Sequence, residues 1–207
     1  KFSLLQLLIS DKLLSSAEIE RLIAREIGGL RFEQLAKPFA CVAMDINTGE
    51  AIIFREGDLT PAVRASMNLP GLFAPVEYRH RYLVDGGVVN YIPIDAAKLL
   101  GADWILASIT ENDYRATKPK TVLDTLEQVI DIRGAFLSHE QRKLANFLIE
   151  PPVGDIEMFQ TARSVEAMTK GVITAQKKLK AAMESLLLFS LDWLAQDYGP
   201  DTAAAKP

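Results

Sequence analysis

The sequence predicts an α/β protein with a helical C-terminal layer, and three observations carry that expectation. Tyr82-Leu83-Val84, the Asp85-Gly86-Gly87 turn, the stretch opened by Pro93 and the run Trp104-Ile105-Leu106-Ala107-Ser108-Ile109 follow one another as strand, glycine turn, helix, strand. That order generates parallel sheet. Phe39-Ala40-Cys41-Val42-Ala43-Met44 is a continuous short apolar run, as expected of a strand covered on both faces. Beyond Pro119 the pattern reads as helix throughout, over Val122 to Ile149 and Ser164 to Leu194, with Pro151-Pro152-Val153-Gly154 between.

The elements follow in order. Lys1 to Ile9 is apolar and runs straight into helical sequence without a methionine or a small-residue cleavage pattern, so it is expected to be a helix of a longer chain. Ser15-Ser16-Ala17-Glu18 has capping-box spacing, Ile19, Leu22, Ile23 and Ile27 recur on one helical face, and Gly28-Gly29 stops that helix. Asn47-Thr48-Gly49 turns the Phe39–Met44 strand into a second strand, Ala51-Ile52-Ile53-Phe54, as a hairpin. Thr60 is an expected N-cap, with Pro61 at the first helical position, and that helix ends before Pro70-Gly71. Pro93 begins a helix that Gly101 closes. The simplest organisation is one α/β domain over residues 1–198, with leading helices in 1–31, the sheet in 32–110, a helical layer in 120–198 and a flexible tail in 199–207.

Composition narrows the function. Apolar residues make up 49% of the 207, charged residues 24%, an ordinary globular balance. A net charge of -4 gives no support for nucleic-acid binding. The single cysteine, Cys41, excludes an internal disulfide and any cysteine-based zinc cluster, and fits a reducing, cytoplasmic compartment. His80 and His139 are too far apart in sequence for a histidine-rich metal site. No acidic loop matches a calcium site, so neither metal nor cofactor is expected. No apolar run reaches the roughly 20 residues that cross a bilayer.

The chemistry centres on Leu83-Val84-Asp85-Gly86-Gly87-Val88-Val89-Asn90, where one carboxylate interrupts an apolar stretch. An aspartate there must be hydrogen-bonded, paired or used. To serve as a general base near neutral pH it must be partly desolvated, because an aspartate in water titrates at about 3.9. Tyr82 to Val84 and Val88-Val89 supply apolar walls, and the carboxyl end of a strand is where α/β sheets gather functional groups. A second reading stays open beside it: Asp85 caps a turn, with Gly86 and Gly87 allowing positive φ. Two other patterns carry less. His80-Arg81, Asp85 and Asn90 echo a kinase catalytic loop, but no glycine loop, strand lysine or Asp-Phe-Gly accompanies them. Ser66 is expected inside a helix and not on a strand-to-helix elbow, which disfavours it as a nucleophile.

Several ordered blocks together resemble the bacterial patatin-like phospholipases. They are Pro38-Phe39-Ala40-Cys41-Val42-Ala43-Met44-Asp45-Ile46-Asn47-Thr48-Gly49-Glu50, then Ala62-Val63-Arg64-Ala65-Ser66-Met67-Asn68-Leu69-Pro70-Gly71-Leu72-Phe73-Ala74-Pro75-Val76, then the segment around Asp85. Pro93 and Leu100-Gly101-Ala102-Asp103 fit the next helix and strand entry, while Leu148-Ile149-Glu150-Pro151 and Thr169-Lys170-Gly171 look like the family's closing helices. The resemblance implies a patatin-like sheet with helices on both faces, incomplete at its N-terminal side. It implies a lipid acyl hydrolase with a serine-aspartate dyad, in which Asp85 takes the serine proton and Gly86-Gly87 form the dyad turn. The family's serine sits in Gly-x-Ser-x-Gly behind a glycine-rich oxyanion loop, and the 207 residues contain neither.

These residues alone are therefore expected to be inactive on esters, as the C-terminal part of a complete patatin-like domain whose missing N-terminal segment is a partner. The alternative is a non-catalytic binding or regulatory module that keeps the fold without the serine. A lipid or ester is the expected substrate. Leu186-Leu187-Leu188-Phe189 to Trp193-Leu194 either completes the core or rests peripherally on a membrane.

Overall fold

The computed structural model describes residues 16–111, 118–119, 121–156 and 160–198. The expected first helix over Lys1–Ile9, the Ser15 cap and the tail 199–207 lie outside the described residues. The chain divides into two compact units, one from residues up to Ala102 together with Lys118–Gln141, the other from 103–117 and 142–207.

In the first unit helix α1 (Ser16–Ile27) ends where Gly28 takes φ +66°, its N–H donating to the Ala24 carbonyl at 2.8 Å. Ile23 is buried and Ile27 packs on the core, whereas Leu22 faces solvent. Strands β1 (Cys41–Asp45) and β2 (Ala51–Phe54) form the expected hairpin, turned by Gly49 at φ +73°. Asp45 is buried at this turn, its carboxylate accepting the Asn47 N–H at 3.0 Å and facing Arg81 at 3.3 Å.

Helix α2 (Leu59–Ser66) starts one residue before the expected Thr60 cap. Asp58 holds the cap position but gives its carboxylate to Arg31 at 2.8 Å. Pro61 is still harmless there, because first-turn N–H groups have no intrahelical partner. Strands β3 (Val76–Tyr78) and β4 (Arg81–Asp85) complete a sheet of order β2-β1-β4-β3.

All three pairings of this sheet are antiparallel, and β4 has both edges taken by β1 and β3, so the parallel pairing expected of the Tyr82–Val84 and Trp104–Ile109 strands does not form. The direction of β3 is set locally. Arg79 and His80 alone join β3 to β4, and so short a connection can only reverse the chain. Directly opposed residues share a face, so Ala43, Phe54, Val76, Leu83 and Asp85 point to one side. Ala62 and Ala65 of α2 join Ala43, Phe54, Val76 and Leu83 in the core cluster; their small side chains bring helix and sheet close.

Helix α3 (Ile94–Leu99) follows, with Pro93 at its N-cap position, and helix α4 spans Val122–Arg142. In the second unit β5 (Leu106–Ser108) pairs with β6 (Phe147–Ile149), and here the ladder is parallel. Phe147–Ile149 corrects the expectation of unbroken helix up to Ile149 and of a closing helix at Leu148–Pro151. Asn146 decides it: its side-chain oxygen accepts the Ile105 N–H at 2.8 Å while its own N–H reaches the Ile105 carbonyl at 2.9 Å. Three residues are too few for a periodic signal.

Helix α5 (Ser164–Tyr198) closes the second unit, with Lys178 donating to the Leu148 carbonyl at 3.0 Å. No helix among the described residues is long and apolar enough to cross a membrane. At the start of α5, Arg163 and Lys170 both bind Asp155 and Glu166, over 2.6 to 3.1 Å. The hydrogen bonds from Lys170 and Arg163 hold Asp155 below its ordinary 3.8, and those from Arg163 and Lys170 bring Glu166 from 4.5 to about 2.

Both carboxyls are depressed in the folded state, so their stabilisation is present above the unfolded values and is lost as pH falls through the folded ones. The melting temperature should therefore drop as pH is lowered from 4.5 to about 2. An acid series of thermal melts followed by circular dichroism checks this; the drop should be shallower in Arg163→Met.

Candidate active site

Strand β4 delivers Asp85 as its last residue, opposite Ala43 of β1. Two clamps fix it there. From one side its backbone N–H donates to the Asn68 carbonyl at 2.9 Å. The buried Asn68 amide in turn donates to the carbonyls of Ala74 at 3.1 Å and Leu83 at 3.3 Å. The loop after α2 is thereby fastened to the end of the strand.

From the other side comes a chain of amides. Asn90 is buried, its N–H bonded to the Gly86 carbonyl at 2.8 Å. Its side chain donates to Asp95 at 2.8 Å and accepts from Gln141 of α4 at 2.9 Å, and Gln141 accepts the Ile92 N–H at 2.8 Å. Arg133 adds a bond to the Val88 carbonyl at 2.8 Å. Asn90 is thus a brace for the turn, which removes the faint kinase-like role considered for it.

The turn itself is a 3-10 segment, Gly86–Val88, and Asp85 accepts the Gly87 N–H through Oδ1 at 2.7 Å. The turn-capping reading is therefore correct as far as Oδ1 goes. The second oxygen is different: among the described residues Oδ2 accepts no hydrogen bond. Asp85 is half-buried, and burial pushes its carboxyl above the ordinary value of 3.8 against the opposing pull of the Gly87 N–H. A carboxylate with one oxygen tied, one oxygen open and partial desolvation has the attributes of a positioned proton acceptor.

Gly86 and Gly87 do not supply positive φ, contrary to the capping expectation; neither belongs to the residues in that region. Their role is close approach. A Cβ on Gly86 would lie 2.5 Å from the Val42 carbonyl oxygen, and one on Gly87 would sit 3.2 Å from Asp85 Oδ1. Gly134 in α4 makes the same accommodation for the Tyr91 ring, at 2.6 Å.

The remaining candidates do not converge on Asp85. Ser66 is the final residue of α2, on helical backbone, with no bond to Asp85 among the described residues. His80 lies in the β3–β4 turn, beyond the opposite end of β4, and His139 is exposed on α4 beside Glu140. Cys41 is largely buried and its thiol is pushed up to about 12, too high to supply a thiolate nucleophile at neutral pH. No group of three His, Cys, Asp or Glu among the described residues is placed to hold a metal ion.

The sequence around this site has relatives among known proteins. The family model described as patatin-like phospholipase matches residues 1–98, a stretch that contains Asp85, Gly86 and Gly87. Over that stretch the chain is similar to the patatin-like phospholipases. An uncharacterized NTE family protein of Mycobacterium tuberculosis is 41% identical over 75 residues, which is 36% of this chain and 13% of the relative. A second NTE family protein, from Mycobacterium bovis, is 37% identical over 81 residues, 39% of this chain and 22% of its own length. A patatin-like phospholipase domain-containing protein of Caenorhabditis elegans is 38% identical over 77 residues, 36% of this chain and 6% of its own length. The matched stretch thus spans less than a quarter of each of these curated relatives.

Sequence reasoning found the aspartate and its glycines and missed what holds them. Asn68 had a usable signal, an amide placed two residues before Pro70-Gly71. Gln141 had none, because an amide in a helix looks solvent-facing until the chain brings Asn90 beside it. Gly86→Ala should destabilise the first unit by about 1–3 kcal/mol, because its Cβ overlaps a backbone carbonyl that cannot move without breaking the β1–β4 ladder. Thermal or urea unfolding of the variant measures it; wild-type stability would show that the approach is slack.

Proposed function

We propose that Asp85 is the aspartate of a serine-aspartate dyad that hydrolyses the carboxylic ester of a phospholipid or related lipid, and that the serine and its oxyanion donors lie outside these 207 residues. The observation that carries the reading is the open Oδ2 of a half-buried carboxylate, held at a strand terminus by the Gly87 N–H on Oδ1.

In the first step the serine hydroxyl gives its proton to Asp85 Oδ2 as its oxygen attacks the ester carbonyl. The acyl-serine ester forms and the alcohol leaves, taking the proton from Asp85. In the second step Asp85 accepts a proton from water as the water oxygen attacks the acyl carbonyl, and returns that proton to the serine Oγ as the acyl–serine bond breaks and the fatty acid leaves. A raised carboxyl pKa favours both transfers, since a very acidic aspartate would hold the proton too weakly. No histidine is needed, and neither His80 nor His139 is hydrogen-bonded to Asp85 among the described residues. With the nucleophile elsewhere, the 207 residues on their own are inactive, and the segment that carries it acts as their partner.

The same reading places the protein in the cytoplasm with α5 resting on a membrane surface. Leu186, Leu187, Leu188, Leu191, Trp193 and Leu194 are all exposed on that helix. Flotation with neutral phospholipid vesicles should recover the chain, and replacing Leu187, Leu188 and Leu191 by Ser should abolish recovery. Equal recovery of both would remove the membrane contact.

Asp85 is tested in the longest reading frame that contains this chain. A fluorophosphonate probe should label one serine, and Asp85→Asn should lower phospholipid hydrolysis by roughly 10²–10⁴-fold, the usual scale of a general base. Asn keeps an acceptor for the Gly87 N–H and removes a carboxylate that the folded state disfavours, so the variant should melt at or above the wild-type temperature. A folded protein with no labelled serine and no hydrolysis would establish the other reading, a patatin-like binding or regulatory module.

A further inference from the structure

We propose that the arginine-lined groove at the far end of the first unit's sheet binds a phosphate group, independently of Asp85. The groove has a volume of about 460 Å³ and is framed by Arg31, Arg55, Arg79 and Arg81 over an apolar floor that includes Ile52, Phe54 and Leu83. It lies at the start of β4, four residues from Asp85, or about 13 Å of strand.

The four arginines divide into two kinds. Arg31 is held by Asp58 at 2.8 Å and Glu33 at 3.3 Å, and Arg81 by Glu50 at 2.5 Å and Asp45 at 3.3 Å. Both contacts of Arg81 use Nη1, leaving its other two guanidinium nitrogens uncommitted among the described residues. Arg55 and Arg79 have no carboxylate partner among the described residues, although both are exposed on the groove wall. Glu33 and Glu56 are the carboxylates of the lining, and Glu33 is already committed to the Gly57 N–H at 2.9 Å and to Arg31. Arg31 and Arg81 are thus already paired, and the cations of the groove with no carboxylate partner among the described residues are Arg55 and Arg79. A guanidinium presents parallel N–H donors that match two oxygens of a tetrahedral phosphate, which is why arginine selects that group.

The backbone supplies an independent observation. Arg79 and His80 both have positive φ, +48° and +63°, at the tip of the β3–β4 hairpin. A two-residue turn of this kind is most stable with Asn-Gly, and each ordinary side chain there is strained. What this arrangement achieves is placement: the Arg79 guanidinium stands 5.2 Å from the centroid of the Tyr78 ring, and Tyr78 is itself braced edge-on against Phe54 at 5.4 Å. The strained turn and the aromatic shelf pre-position a cation that has no anion among the described residues. The apolar floor adds contact for the carbon skeleton that carries the phosphate.

A phosphate can arrive on a lipid headgroup or on a soluble ester, and the experiment separates these. The full 207-residue chain is titrated with inorganic phosphate and glycerol 3-phosphate by calorimetry, and floated with vesicles of phosphatidylcholine with and without phosphatidic acid. Binding to the soluble probes identifies a soluble ester; a gain in flotation only with phosphatidic acid identifies a headgroup. In either case the charge-reversed R55E/R79E should lose at least tenfold in affinity. R79N/H80G guards against misfolding as the cause, since relieving the turn should raise the melting temperature while weakening phosphate binding. No calorimetric binding by wild type together with no phosphatidic-acid-dependent gain in flotation, or the full wild-type response to these probes in either variant, overturns the proposal; neither result bears on Asp85.

Discussion

The candidate site depends on how closely the chain passes β1 as it leaves β4. Gly86 rests against the Val42 carbonyl at a distance that no side chain could share, and Asp85, one residue earlier, is paired with Ala43. Because the sheet fixes β1, it also fixes where the aspartate's backbone ends and where its turn begins. The carboxylate is therefore placed by strand pairing and by the absence of an atom, not by a flexible loop. Asn68 on one side and the Asn90–Gln141 pair on the other convert that placement into a rigid one.

Burial and hydrogen bonding act on Asp85 in opposite directions, and their balance gives it a chemical character. The Gly87 N–H stabilises the charged form through Oδ1, while removal from water destabilises it and prevails. Had both oxygens been capped by N–H groups, the carboxyl would be strongly acidic and useless as a base. One capped oxygen orients the group and one open oxygen leaves it reactive. The neighbouring Cys41 shows the contrast: burial without any stabilising donor pushes its thiol out of the reactive range.

Much of this was legible in the residues, for identifiable reasons. A carboxylate followed by Gly-Gly in an apolar run is a conflict at the level of single residues, and such conflicts mark sites. The β1–β2 hairpin and the helix stop at Gly28 were equally local. Strand pairing was not, because β4 takes β1 and β3 as its neighbours, the latter through Arg79 and His80, which adopt the left-handed region without a glycine. Strand β6 was hidden for another reason: its three residues follow a long helix, and only Asn146 bonding to Ile105, forty-one residues earlier, marks them as a strand. The partners of Asn90 belong to the same class, since nothing in a helical glutamine shows which buried amide it will meet.

The proposed dyad requires Asp85 to stand within proton-transfer distance of a serine in the full-length protein. It is tested most directly by a crystal structure of the full-length protein after reaction with a fluorophosphonate. A dyad gives a phosphonylated serine whose Oγ lies about 2.6–3.2 Å from Asp85 Oδ2, with Oδ1 still on the Gly87 N–H. A modified serine remote from Asp85, with Oδ2 facing only solvent, would contradict it.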